Sequence, residues 1–120
     1  MNERNLQQFK KQLNTRLADL LRQADQMVRD LQDLDLRQAD ALDLAAAESN
    51  RSFSLRIHSR ENHLIHKIQR SLRDIEEGTY GICEACGESI GFKRLKARPV
   101  TRHCIRCKTE MEKLERLAGK

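Results

Sequence analysis

The stretch from Leu6 to Leu34, LQQFKKQLNTRLADLLRQADQMVRDLQDL, decides the fold of this chain. Its apolar residues fall at Leu6, Phe9, Leu13, Leu17, Leu20, Ala24, Met27, Leu31 and Leu34, in steps of three and four with one four-four step near the start. That spacing is an a/d stripe sustained for about four heptads. No Gly or Pro interrupts it. The pattern predicts a helix over residues 4–34, about 45 Å long at 1.5 Å per residue. One helix cannot bury such a stripe by itself, so the sequence must supply a partner.

The partner follows directly. A second seam runs through Phe53, Ile57, Leu64, Ile68, Leu72 and Ile75, with Glu61 filling one register position. Gly78, after Glu76 and Glu77, stands where a C′ glycine ends a helix. Between the seams lies Leu36-Arg37-Gln38-Ala39-Asp40-Ala41-Leu42-Asp43, in which Asp43 is placed to cap the second helix. So short a connection folds the two helices back as an antiparallel pair. Residues 33–50 carry five acidic side chains against Arg37 alone, so the tip is acidic. The expected architecture is mainly α. A long antiparallel two-helix coiled-coil hairpin spans residues 1–77, with its acidic tip at 37–45. A small four-cysteine zinc-finger module with a C-terminal helix spans residues 78–120, that helix carrying Ile105, Met111, Leu114 and Leu117.

Composition agrees. Charged residues make up 34% of the 120 positions and aromatics only 3%, namely Phe9, Phe53, Tyr80 and Phe92. So few rings cannot fill a broad core, but a narrow Leu/Ile seam needs none. No apolar run approaches the roughly 18 residues of a membrane span, and the N-terminus lacks the h-region of a signal peptide. The expectation is a cytoplasmic protein with reduced thiols. The formal charge of +5 points toward nucleic acid, but four thiolates around one zinc ion would lower it to about +3. Residues 92–120 hold ten Lys or Arg against three Glu, opposite in sign to the tip. A single nucleic-acid face is therefore not the expected use of the charge.

Cys83, Cys86, Cys104 and Cys107 read C-x2-C-x17-C-x2-C. Two residues between cysteines let both sulfurs of a knuckle face one point, and two knuckles make the tetrahedral shell of one structural zinc at about 2.3 Å per sulfur. Gly87, directly after Cys86, is expected to relieve crowding where the backbone turns toward the thiolates. Lys93, Arg94, Lys96 and Arg98 between the pairs would offset negative charge. Unconnected thiols, a redox pair and an iron–sulfur cluster are the alternatives. His103 beside Cys104 is not needed as a ligand, and His58, His63 and His66 fit a solvated helix. Four sulfurs leave no open position for water, and no catalytic constellation appears elsewhere, so no enzyme is expected.

Four segments carry a family resemblance: Asp40-Ala41-Leu42-Asp43-Leu44-Ala45, Leu64-Ile65-His66-Lys67-Ile68, Tyr80-Gly81-Ile82-Cys83-Glu84-Ala85-Cys86-Gly87 and Ala97-Arg98-Pro99. Together they resemble the DksA/TraR zinc-finger family over the whole chain, in the form of a short DksA-type member without the N-terminal extension of longer ones. The resemblance implies a bacterial transcription factor that binds RNA polymerase rather than DNA. Its coiled coil would enter the secondary channel and place its tip near the catalytic magnesium, destabilising open promoter complexes with ppGpp as co-effector. The family's tip motif falls on Asp40, Asp43 and Ala45, and its alarmone-contact positions on Arg60, Leu64, Lys67, Arg98 and Lys108. Two positions depart from the pattern: Leu44 stands where arginine is common, and Ser59 where an acidic residue is.

The residues alone leave more open. Arg60, Leu64 and Lys67 follow i, i+4, i+7 spacing and share one helix face. Their two cations would grip phosphates if Arg98 and Lys108 folded alongside, or would be simply a solvated basic face. Asp40 and Asp43 are a hydrated loop with a helix cap, or carboxylates suited to a magnesium centre. A Gre-like transcript-cleavage stimulator and a DNA-binding zinc module with a dimerising coiled coil are the competing functions. The four-cysteine foot and tip motif favour the polymerase regulator over the first. A seam that reverses within one chain is satisfied internally, which argues against the second and for a monomer.

Overall fold

The computed structural model describes residues 1–36 and 41–119, and only the backbone of 34–36, 41–47 and 50. Four helices form among the described residues: α1 (Glu3–Leu36), α2 (Ala41–Glu77), α3 (Phe92–Ala97) and α4 (Ile105–Leu117). The one β interaction among the described residues is an isolated antiparallel bridge between Ile82 and Ser89. No helix among them is long and apolar enough to cross a membrane. The chain divides into two compact units, Asn14–Gln69 and the union of Met1–Leu13 with Arg70–Lys120.

The first unit is the body of an antiparallel helical hairpin. From α1, Leu20 is buried, and Leu17, Ala24, Met27 and Leu31 are half-buried. From α2, Ile65 and Ile68 are buried, and Ser54, Ile57, Glu61 and Leu64 are half-buried. The α1 seam therefore lies where its spacing put it. The α2 seam differs at its start: Phe53 is 61% exposed, while its neighbour Ser54 turns inward. Counting back from Ile75 through Leu72, Ile68, Ile65, Glu61 and His58 in steps of three and four lands on Ser54. Phe53 lies about 100° away around the helix. Glu61 does occupy the seam, and its Oε2 and His58 Nδ1 are buried atoms with no hydrogen-bond partner among the described residues.

Helix α2 also begins two residues before the expected cap. Asp43 sits inside the first turn rather than ahead of it, a place where a carboxylate favours the positive end of the helix dipole.

The second unit holds the start of α1, the end of α2 and everything beyond. Asn2 caps α1 by accepting from the Asn5 N–H at 2.8 Å. Lys10 on α1 pairs with Glu76 on α2 at 3.3 Å, as an antiparallel hairpin requires. Gly78 ends α2 at φ +80°. Its N–H donates to Ile75 O at 3.3 Å, and Thr79 N–H donates to Asp74 O at 2.9 Å. This is a Schellman cap, and its left-handed residue is the predicted glycine. The core is small and aromatic: Phe9 packs against Tyr80 (ring centroids 5.6 Å apart) and edge-on against Phe92 (5.8 Å). Leu95, Ile90 and Leu13 are also buried in this unit. Helix α4 has no buried residue, and its Ile105, Leu114 and Leu117 are exposed.

Candidate metal centre

The first knuckle is a tight backbone turn. Cys83 N–H donates to Glu88 O at 2.7 Å and Gly87 N–H donates to Cys83 O at 2.9 Å. Ile90 N–H donates to Gly81 O at 2.7 Å, closing the loop behind it. Gly87 stands at φ +77°. A Cβ there would meet nothing within 4 Å, so the requirement is left-handed backbone and not the relief of crowding.

The second knuckle is the start of a helix. Cys104 is the N-cap of α4, and Lys108 N–H donates back to Cys104 O at 3.0 Å. One turn of helix thus brings Cys107 round to the side of Cys104. Arg94 of α3 holds the approach, donating from Nε to His103 O at 2.9 Å and from Nη2 to Thr101 Oγ1 at 3.4 Å. So Arg94, expected as a general charge offset, instead ties backbone. Tyr80 donates its hydroxyl to Pro99 O at 2.7 Å, fixing the Ala97-Arg98-Pro99 turn over the core. Burial pushes that phenol up to about 12.

These two turns bring all four Sγ atoms within 4.8 Å of one another. Cys86 and Cys104 Sγ are 3.9 Å apart, far beyond the roughly 2.05 Å of a disulfide, and all four cysteines are free. As thiols, Cys83 and Cys107 are shifted in opposite directions. Backbone N–H groups, that of Cys104 first, draw Cys83 down to about 6, while a hydrogen bond donated by the Cys107 thiol to Cys104 pushes Cys107 up to about 12. Four negative sulfurs cannot share so small a space unless a cation stands among them. The donor set, its soft chemistry and its spacing fit one zinc ion. His103 is not among the clustered ligand atoms; its Nε2 lies 3.6 Å from Glu84 instead.

The remaining predicted positions are distributed as follows. Asp40 lies outside the described residues, and Asp43 and Ala45 fall in α2 where only backbone is described. Arg60 and Lys67 are exposed and Leu64 half-buried on α2, within the Asn14–Gln69 unit. Exposed Arg98 is the C-cap of α3, and half-buried Lys108 lies in the first turn of α4, both in the other unit. Among the described residues none of these four cations has an ion-pair partner.

Sequence reasoning passed over one cluster beside the metal centre: Asp74, Glu84 and Arg102, joined by hydrogen bonds of 3.2–3.5 Å. The available signal was that Glu84 stands inside the first C-x2-C and Arg102 two residues before the second.

Comparison with known proteins places this geometry. Residues 5–75 match the family described as DnaK suppressor protein DksA, N-terminal domain, and residues 78–113 match the prokaryotic dksA/traR C4-type zinc finger. The chain is 38% identical to the RNA polymerase-binding transcription factor DksA of Caulobacter vibrioides, across 98% of this chain and 82% of that one. It is 40% identical to the protein of the same name from Escherichia coli K12, across 99% and 80%. Among solved structures, transcription factor DksA2 from Pseudomonas aeruginosa superposes with a TM-score of 0.89 at 36% identity, covering 97% of this chain and 89% of that one.

Proposed function

This chain belongs to the DksA family, and on that premise we propose that it binds RNA polymerase and regulates transcription. One observation carries the proposal: a helical hairpin and a four-sulfur centre are joined in a chain similar along nearly its whole length to factors named for polymerase binding. In this reading the hairpin enters the secondary channel and carries Asp40, Asp43 and Ala45 toward the catalytic magnesium. Carboxylates suit that place because hard cations take oxygen ligands. The consequence is a shorter life for open promoter complexes.

The nucleotide ppGpp acts as co-effector. Arg60, Leu64 and Lys67 on α2, with Arg98 and Lys108 of the cysteine module, carry the alarmone-dependent contact at the polymerase. Guanidinium and ammonium groups not engaged in ion pairs offer the charge-assisted donors that phosphates accept.

Cys83, Cys86, Cys104 and Cys107 hold one structural zinc ion. When bound, it supplies the dication that lets four thiolates share one site and joins the two knuckles. With four sulfurs in the shell no coordination position remains for water, so the chain is not an enzyme. It works in the cytoplasm as a monomer, without reading DNA sequence.

The test is direct. Added to purified bacterial RNA polymerase, the protein should bind it and hasten the decay of competitor-resistant promoter complexes, more so with ppGpp present. Failure to bind polymerase would overturn the proposal. Stimulated transcript cleavage in arrested complexes would replace it with a Gre-like function, and tight DNA binding at moderate salt with a DNA-binding one.

A further inference from the structure

We infer that Arg102 links metal occupancy to the last turns of α2, so that zinc at the four sulfurs and order at the end of that helix strengthen each other. The inference rests on the zinc assignment above and goes beyond it.

Arg102 reaches three ways. Its Nε donates to Asp74 Oδ2 at 3.2 Å and its Nη2 to Asp74 Oδ1 at 3.4 Å, a two-pronged grip on α2. Its Nη1 donates to Glu84 Oε1 at 3.5 Å, inside the first knuckle. Its own carbonyl accepts the Glu84 N–H at 2.8 Å. Arg102 itself stands two residues before Cys104, so one residue grips the helix, touches the first knuckle and leads directly into the second.

Asp74 is an unusual partner for a surface ion pair. Its side chain is only 14% exposed, and burial raises its carboxyl above the ordinary value, with Glu77 and Glu84 adding and Arg70 and Arg73 opposing. Arg70 (3.6 Å) and His103 (3.6 Å) also face Glu84. The Asp74 carbonyl accepts Thr79 N–H at 2.9 Å and Tyr80 N–H at 3.2 Å, the turn that leads from α2 into the first knuckle. One residue therefore ends the helix with its main chain and receives the module with its side chain. Pairs such as Arg106–Glu88, at 4.0 Å with both side chains about 70% exposed, are screened by water and link little.

The coupling follows from chain entropy. With both knuckles closed on one ion, the segment bearing Arg102 is already held at Glu84, and the grip on Asp74 needs little further ordering. With the knuckles open, the same pair must be formed across a loose loop. Linkage is reciprocal: whatever the ion adds to the pair, the pair adds to the affinity for the ion.

The experiment uses the full chain. Zinc content of the wild type is measured first. Apparent zinc affinity is then read by competition with a chromophoric chelator for wild type, Arg102→Gln, Asp74→Asn and the double variant, with amide exchange followed over residues 70–77. Each single variant should bind zinc about tenfold more weakly, the low end for residues that support metal ligands. The double should lose no more than the worse single, and exchange over 70–77 should quicken in both singles even with zinc bound. Lys10→Gln, which breaks the Lys10–Glu76 pair, should leave zinc affinity unchanged. Single variants that hold zinc as tightly as wild type would overturn the inference, as would a double variant whose loss is the product of the two. Should Arg102→Gln take up no zinc at all, Asp74→Asn and Arg102→Lys decide by the same criteria. A wild type without zinc would overturn the zinc assignment and this inference together.

Discussion

The two units of this molecule are stabilised in different ways. In Asn14–Gln69 burial is spread along a repeating seam, with three buried side chains, Leu20, Ile65 and Ile68, among many half-buried ones. In the unit that contains the cysteines, burial is concentrated in Leu95, Cys83, Ile90, Tyr80, Phe9 and Leu13, and the backbone is pinned by individual hydrogen bonds and positive-φ glycines. A seam repeats its reason for folding every few residues, so one lost contact leaves the rest in place. A module with so small a core depends on each tie. The lesson is that damage should stay local and graded in the hairpin body and be collective in the cysteine module.

The largest effect that would sharpen this contrast is removal of the metal site. Cys83→Ser, or chelation, should abolish amide protection over residues 78–117 while the Asn14–Gln69 unit keeps its helical circular dichroism. Structural zinc contributes on the order of 10 kcal/mol to small modules. Hydrogen exchange by mass spectrometry resolves the two, and loss of helix throughout would erase the distinction.

Core truncations come next. Leu95→Ala and Ile68→Ala, both at positions with 0% exposure, should each cost about 3 kcal/mol. The first should lower zinc retention as well; the second should not. Phe53→Ala, which removes a larger but exposed side chain, should change stability by less than about 0.5 kcal/mol. Denaturant melts of all three variants measure this, and a large cost for Phe53 would restore it to the seam.

A smaller effect is read through pH. Tyr80 is the single tyrosine of the chain, so ultraviolet ionisation spectra report it alone. Its folded value is raised from 10 to about 12. The stability it contributes is therefore complete below pH 10 and lost as pH rises through about 12, a change of roughly 2.7 kcal/mol. In urea the same spectrum should titrate near 10. A folded protein whose tyrosine titrates at 10 would mean that the phenol is not buried as the structure places it.

The smallest expected change runs the other way. Glu61→Leu removes a buried oxygen with no partner among the described residues and completes the seam, so it should stabilise the hairpin by about 1 kcal/mol. A lower melting temperature would show that Glu61 has a favourable role at that position.

Much of this architecture was legible in the sequence because periodicity and cysteine spacing are local signals. The α1 seam, the Gly78 stop and the four-sulfur cluster needed only the chain's own order. At Phe53 apolar size and register disagree, and register decides: the inward residue there, Ser54, carries no hydrophobic signal. Asp43 was read as a cap because capping residues and first-turn acids are the same residue types, told apart only by where the helix begins. The Asp74–Glu84–Arg102 cluster joins residues up to 28 positions apart, and no periodicity announces such a contact. At Gly87 crowding and left-handed backbone demand the same residue, and only the structure shows that the backbone is the reason.

In the proposed function the hairpin is a delivery device whose end acts and whose remainder binds. Asp40→Asn keeps size and removes one charge, so it isolates that end. Affinity for RNA polymerase and the half-life of competitor-resistant promoter complexes should be measured side by side for wild type and Asp40→Asn, with and without ppGpp. The account predicts nearly unchanged affinity and a promoter-complex half-life restored to that of polymerase alone. A variant that binds normally and still shortens the half-life as wild type does would contradict it, leaving the hairpin as a passive plug.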